Sequence, residues 1–337
     1  MYLFRQIEEK DIDEVYQMAL EAHSGVTSLP KNRDLIKKKI EMSLSSFDSI
    51  NHKKQENSLF LFVLENKESQ ELIGVSGIKS GGGREAPLHH YTLQEEVRDH
   101  PSMLSQAKKT TRILIPERSR APYSELCSLF LKRKERKSGI GRLLSLARFL
   151  FIKEHPGLFE REIKASLRGV FDERDLSPFY ENVGRKFVDI EYDKFVDLVR
   201  QDPSLILAAI PSFPLTIELL APEARNAIGV PHQNTVPAKH MLEAQGLVFD
   251  NEVDLLDAGP ILKGNLHSTR PWIHAKKGSI AEITPTSKGK KIIIASSHMT
   301  FRAILHVAEA QDEVHIGKKT LELLQAEPGE QFLSFEL

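Results

Sequence analysis

Residues Ser124 to Phe151 read S-E-L-C-S-L-F-L, then K-R-K-E-R-K-S-G-I-G, then R-L-L-S-L-A-R-F-L-F. Leu126, Cys127, Leu129, Phe130 and Leu131 form a nearly unbroken apolar run, the pattern of a strand buried on both faces. Ile140, Leu143, Leu144, Ala147, Leu150 and Phe151 recur at helical spacing along one stripe. Between strand and helix, Arg136-Lys137-Ser138-Gly139-Ile140-Gly141 has the form R-x-x-G-x-G. Glycines in such a turn let the backbone approach an anion. The free N–H groups of the first helical turn, with the helix dipole behind them, then hold a pyrophosphate. Lys132, Arg133 and Lys134 make the turn basic as well as glycine-bearing. The plainer readings are a tight strand-to-helix connection for the glycine pair and a solvated loop for Lys132 to Lys134.

This strand, turn and amphipathic helix resemble the acyl-coenzyme A site of the GNAT acyltransferases. The resemblance implies that Arg136, Lys137, Ser138, Gly139, Ile140 and Gly141 bind the coenzyme, with Leu129 and Leu131 of the strand beside them. The flanking sequence agrees. Met1 to Ile7 reads as a strand, and Asp11 and Asn32 each open a helix. Ser58 to Glu65 and Leu72 to Ile78 read as a hairpin. That order is the GNAT half-barrel, whose sheet splays open at the turn. Ile163 to Val170 is expected as a strand, Ser177 to Gly184 as a capped short helix and Lys186 to Tyr192 as a further strand.

Gly81 to Arg120 is polar and reads as a long excursion with one or two irregular strands; adjacent His89 and His90 point to opposite sides of it. From about Val196 a second unit follows. Its expected elements are strand Leu205–Ile210, helix Ile217–Ala224, helix Pro237–Gly246 and strand Val253–Leu256. From Gly264 short strands at Ile280–Ile283, Lys290–Ala295, Phe301–Val307 and Phe332–Phe335 suggest a small β-barrel-like appendage. The expected fold class is α/β with a mixed sheet (α+β in character): a tandem GNAT-like fold, 1–195 binding the coenzyme, 196–263 a partial second copy and 264–337 the β-rich end.

Composition narrows the classes. The chain has 337 residues, 46 basic against 47 acidic, and 40% hydrophobic content, enough for a sizeable core. The balanced charge implies neither a nucleic-acid nor a membrane partner. One cysteine excludes an intramolecular disulfide framework and a cysteine-based metal site, and no metal is called for. The N-terminus has no signal-peptide apolar core, so the default expectation is a cytoplasmic protein.

Six collinear runs resemble one family, arginine N-succinyltransferase. They are Gly25-Val-Thr-Ser-Leu-Pro30, Ser124-Glu-Leu-Cys-Ser-Leu-Phe-Leu131, Leu167-Arg-Gly-Val-Phe-Asp-Glu173, Ser177-Pro-Phe-Tyr180, Ile228-Gly-Val-Pro-His232 and Asp257-Ala-Gly-Pro260. Tyr180 stands where the family usually has Trp, and Gly81 to Arg120 matches least. The resemblance implies succinyl-coenzyme A as co-substrate, with no permanently bound cofactor, and L-arginine as acceptor. His232 would be the proton donor or acceptor, and Leu129 a contact to the thioester. Because some members come as two related chains, it also implies a homo-oligomer or a hetero-oligomer. Two rivals follow: an N-acyltransferase acting on ornithine or another amine, and a non-catalytic ligand-binding subunit.

The chemistry needs few groups. Amine acylation by a thioester needs a neutral amine, a polarised carbonyl and a protonated leaving thiolate, with alignment supplying much of the rate. A backbone N–H at Leu129 suits the oxyanion, and a histidine can pass a proton near neutral pH. An arginine pocket needs donors for a carboxylate, for which Thr27, Ser28 and Arg302 are candidates. It also needs carboxylates for a guanidinium, for which Asp172, Glu173 and Asp257 are candidates. Tyr180 is a candidate proton donor or a core aromatic. Cys127, inside an apolar run with no local base, reads as a small hydrophobe rather than a nucleophile.

Overall fold

The computed structural model describes residues 1–22, 26–50, 57–98, 109–136, 139–282, 289–296, 300–308 and 313–337. Strand β1 (Tyr2–Gln6) leads through α1 (Ile12–Glu21) and α2 (Arg33–Asp48) to β2 (Leu59–Asn66) and β3 (Glu71–Gly82). A hairpin of β4 (Leu88–Arg98) and β5 (Lys109–Ser119) precedes β6 (Tyr123–Leu131), α3 (Ile140–Glu154) and β7 (Glu162–Ser166). Then come α4 (Pro178–Asn182), α5 (Arg185–Val188), α6 (Tyr192–Gln201), β8 (Leu215–Thr216), α7 (Pro222–Ala227), α8 (Val236–Glu243), β9 (Val248–Val253) and β10 (Pro260–Asn265). The C-terminal part is α9 (Arg270–His274), β11 (Lys276–Glu282), β12 (Lys290–Ser296), β13 (Arg302–Ala308), β14 (Glu313–Ile316), α10 (Lys318–Leu324) and β15 (Gln331–Glu336).

Among the described residues these strands join one mixed sheet, in the order β14-β11-β15-β12-β13-β1-β2-β3-β6-β7-β10-β9-β4-β5-β8. The expected order of β1, two helices, hairpin, β6, α3 and β7 is observed. Helix α3 packs its apolar stripe onto the sheet around an aromatic group that includes Phe60, Phe62, Phe151 and Phe301. The Phe62 and Phe151 rings sit edge to face with centroids 5.0 Å apart. On the opposite face α1 and α2 bury Val15, Met18, Ile36 and Ile40 against β2 and β3.

Several expectations need correcting. Within the polar stretch 81–120 the described residues form two regular antiparallel strands, β4 pairing with β5 from Leu88–Ser119 to Arg98–Lys109. They lie near one end of the sheet, where polar side chains can face water. Lys186–Tyr192 is not a strand: α5 ends at Asp189 in a left-handed turn (φ 48) and α6 begins at Tyr192. In α6, Tyr192, Phe195 and Val196 point inward at helical spacing. Leu205–Ile210 lies almost wholly in a 3-10 segment, Pro203–Ala209, because a short apolar run does not distinguish strand from helix. The Ile217–Ala224 helix is divided into a 3-10 turn and α7. The strand placed at Val253–Leu256 ends at Val253, where Asp254 opens a turn by accepting the Leu256 N–H (2.8 Å). Asp11 starts α1 by position, but its carboxylate accepts from Arg5 (2.8 and 2.9 Å) instead of capping the helix. The C-terminal strands continue the main sheet through β13–β1 pairing, and β10 and β9 of the expected middle unit pair with β7 and β4 of the first.

Candidate active site

Strands β6 and β7 run parallel but pair only from Tyr123–Glu162 to Glu125–Lys164. Beyond Glu125, β6 stays with β3 while β7 follows β10, so the sheet splits. A cleft of about 1300 Å³ opens there, between the N-terminus of α3 and helix α8. It is larger than a typical small-molecule pocket. Leu129, Leu131, Gly139, Gly141, Pro237 and Met241 are among its lining residues.

Gly139 caps α3 with φ 90, a conformation that glycine adopts without strain. A Cβ on Gly139 would meet nothing within 4 Å, and one on Gly141 would meet only Leu131 Cδ2 at 3.8 Å. Packing therefore requires neither glycine. The first is needed for its backbone angle, and the second leaves the helix backbone open to the cleft. The first turn of a 15-residue helix presents N–H groups there, a ready anion site. Lys132, Arg133, Arg136, Arg142 and Arg270 ring the cleft with positive charge. Arg136 is tied back to the strand end, its Nε donating to the Leu131 carbonyl (3.0 Å).

Strand β6 was expected to be buried on both faces. Instead burial alternates along it, and its C-terminal residues Leu129, Phe130 and Leu131 border the cleft. A bulge interrupts the alternation of partners. Gly77 pairs with Cys127 and Val75 with Phe130, so Ser128 and Leu129 together face Ser76, and Ser128 takes φ 55. One extra residue reverses which face each later side chain occupies. Cys127 and Phe130 thus both pack toward α1 and α2, whereas Leu126, Leu129 and Leu131 pack toward α3. The bulge brings Leu129 and Leu131 to the cleft. It also frees the Ser128 N–H to donate to Ser28 Oγ (3.0 Å), which anchors the Thr27-Ser28 turn against the strand.

A second cavity of about 380 Å³ adjoins this turn. Thr27, Arg168, Tyr192, Arg200, Asp254 and Asp257 line it. Asp257 accepts from the N–H groups of Gly169 (2.9 Å) and Gly259 (2.8 Å), joining two of the runs picked out in the sequence. A Cβ on Gly259 would sit 2.1 Å from the Leu167 carbonyl oxygen, so only glycine permits this approach. Burial, reinforced by the neighbouring Asp254 charge, pushes the Asp257 carboxyl up to about 7 despite those N–H bonds. Burial raises Asp254 as well, and raises Glu125, where Lys79 and Lys39 oppose the shift. Asp254 and Asp257 thus bring raised carboxyls to this cavity, and the charge of Arg168 only partly offsets the shift at Asp257.

Arg168 lines both cavities. Its backbone carbonyl accepts the N–H of His232 (2.9 Å), which ties His232 to Arg168, although His232 itself lines neither cavity. The next residues, Gln233, Asn234 and Thr235, line the large cleft. His232 Nδ1 accepts the Asn234 N–H (3.1 Å), so the neutral ring carries its proton on Nε2.

Of the remaining candidates, Lys137 and Ser138 lie outside the described residues. Ile140 is buried in the core beneath the turn. Ser28 braces β6 and accepts Lys39 Nζ at its carbonyl (2.7 Å). Tyr180 is a core aromatic: it is fully buried, donates to the Ile190 carbonyl (2.9 Å) and packs edge to face on Tyr192. Asp172 closes a local turn through Arg174 and Leu176, and Glu173 is exposed beside it; neither lines a cavity. Arg302 lies on β13, donating to the Leu323 carbonyl (3.0 Å), and also lines neither cavity. Cys127 is half-buried, with its thiol pushed up by burial, as befits a packing residue. His89 and His90 alternate on β4, half-buried and buried. Sequence reasoning missed Arg168, Arg200 and Asp254. Arg168 stood inside a quoted run, and Asp254 precedes Asp257 by one turn's spacing.

Comparisons with known proteins agree. The arginine N-succinyltransferase of Yersinia pseudotuberculosis is 34% identical over 324 residues, covering 93% of this chain and 91% of its own. That of Photorhabdus laumondii is 32% identical over 336 residues, covering 98% and 97%. Subunit AI of the arginine/ornithine succinyltransferase of Pseudomonas aeruginosa has the same fold, with a TM-score of 0.87 at 24% identity over 100% of this chain and 98% of its own. A family model described as arginine N-succinyltransferase beta subunit matches residues 2–271. The chain therefore belongs to the arginine N-succinyltransferase family.

Proposed function

We propose that this chain transfers the succinyl group of succinyl-coenzyme A to the α-amine of L-arginine, giving N2-succinylarginine and free coenzyme A. The observation that carries the reading is that two unlike cavities share Arg168, whose backbone carbonyl holds His232. One is basic and opens at a helix N-terminus, and the other holds acidic groups raised by burial. The first suits a pyrophosphate-bearing thioester, and the second suits a cationic amino acid. The Gly139–Gly141 backbone takes the pyrophosphate, with Arg136 beside it, and the pantetheine arm runs along Leu131 and Leu129. Asp254 and Asp257 take the guanidinium, with Thr27 on the opposite wall.

The α-amine loses its ammonium proton and attacks the thioester carbonyl, forming the C–N bond. Charge on the carbonyl oxygen is met by the Leu129 N–H, which the bulge removes from regular pairing. As the C–S bond breaks, the His232 Nε2–H hydrogen-bonds the departing sulfur, and the proton shed by the acylated nitrogen passes to that sulfur to give the thiol, leaving the ring neutral. The glycine turn and His232 favour an active chain over a non-catalytic subunit.

A thiol-release assay tests the reading. Succinyl-coenzyme A with arginine should turn over fastest. Faster release with ornithine would move the acceptor, and faster release with acetyl-coenzyme A would move the donor. No release with any pair would indicate a binding subunit.

A further inference from the structure

Arg168 is only 9% exposed, and among the described residues its guanidinium makes one hydrogen bond, from Nη2 to Asp175 (2.7 Å). Its Nε is enclosed and has no acceptor among the described residues. The guanidinium carbon lies 4.2 Å from the Phe171 ring centroid, which fixes the plane of the group. Burial holds this side chain below its ordinary pKa, against the pull of Asp175 and Asp257. A buried arginine offers five donors in a rigid fork, and leaving most of them unmet is costly. The anion whose shape satisfies such a fork is a carboxylate.

Arg168 is also the residue that the two cavities have in common. Under the reading above, the thioester carbon must stand where they meet. A succinyl group carries its free carboxylate three bonds from that carbon, so the carboxylate ends within the same junction. We propose that Arg168 binds the terminal carboxylate of the acyl group and thereby makes the enzyme prefer a dicarboxylic acyl donor. A second arginine, Arg200, lines the second cavity alone, held by Asp197 and by the Thr27 carbonyl (2.8 Å), and stands nearer to the amino acid's own carboxylate than to the acyl group under this reading. The proposal rests on the succinyl-transfer reading, but its test separates the two.

The experiment compares kcat/KM for succinyl-coenzyme A and butyryl-coenzyme A, a near-isostere without the carboxylate, in the wild type, Arg168→Met and Arg168→Lys. Arginine is the acceptor, and each variant's fold is checked by circular dichroism. Arg168→Met should lose about 10- to 100-fold with succinyl-coenzyme A and change less than about threefold with butyryl-coenzyme A. Arg168→Lys keeps the charge for the fold but not the fork, and should lower the succinyl-to-butyryl ratio about fivefold or more. That variant carries the test if Arg168→Met does not fold. Equal losses with both donors, or an unchanged ratio, would overturn the proposal in favour of a structural arginine. If the variants instead lose discrimination between arginine and agmatine, which lacks the carboxylate, while keeping the succinyl preference, Arg168 holds the acceptor and the proposal is wrong. Absence of turnover in the wild type would count against succinyl transfer itself.

Discussion

Replacing Gly141 by alanine separates a binding role for the α3 turn from a packing role. The site has room for the added methyl, whose nearest neighbour would be Leu131 Cδ2 at 3.8 Å. The backbone there is ordinary helix, so alanine's higher propensity should stabilise the free protein by up to about 1 kcal/mol. Unfolding entropy of about 2.1 cal/mol/K per residue, over 337 residues, converts this to a rise of about 1 °C in Tm. The same methyl projects into the cleft that Gly141 lines. A phosphate displaced from one backbone N–H loses a charge-assisted hydrogen bond of about 1.5–3 kcal/mol. Coenzyme A should then bind about 10- to 150-fold more weakly. Calorimetric titration with coenzyme A and a thermal melt of the same sample give both numbers. A variant that is slightly stabilised and binds within twofold of the wild type would refute the placement of the pyrophosphate.

Three further outcomes follow from the geometry. Because asparagine is a good N-cap, His232→Asn should keep the turn that His232 closes through the Asn234 N–H while removing the Nε2 proton. Turnover should fall about a hundredfold or more with coenzyme A affinity nearly unchanged, and full turnover would remove His232 from the mechanism. Asp257 is raised to about 7 in the folded protein, so the folded state loses stability as pH climbs from the ordinary carboxylate range to about 7. A guanidinium favours the ionised form. Binding of a guanidino acid lacking the α-amine should therefore strengthen about tenfold or more between pH 5.5 and 8, and a flat profile by calorimetry would exclude Asp257 from that contact. Gly259→Ala would place a Cβ 2.1 Å from the Leu167 carbonyl and 2.6 Å from the Gly169 nitrogen. It should destabilise by roughly 2–4 kcal/mol in urea unfolding, and an unchanged midpoint would contradict the close apposition of these two runs.

The features legible in the sequence were those decided locally. The Gly139–Gly141 turn carries its own backbone chemistry, and the stripe of α3 carries its own period, so the strand, turn and helix beside the cleft could be read from a few residues. Asn32 and Ser177 cap their helices as their side-chain chemistry suggests, accepting from Leu35 and Tyr180. Non-local features were not legible. No residue type announces that Ser128 and Leu129 share one partner, yet that bulge decides which face Leu129 and Leu131 take. The acidic cavity gathers Thr27, Arg168, Arg200 and Asp254 from segments far apart in the chain. Asp172, Glu173 and Arg302 had suitable chemistry, but their neighbours hold them in a local turn and on β13.

The most direct test is a crystal structure grown with coenzyme A and arginine. The account predicts the pyrophosphate within hydrogen-bonding distance of the Gly139–Gly141 backbone, the thiol at the junction beside His232, and the guanidinium against Asp254 and Asp257. A coenzyme bound elsewhere, with the α3 turn untouched and the junction closed between the two cavities, would contradict it.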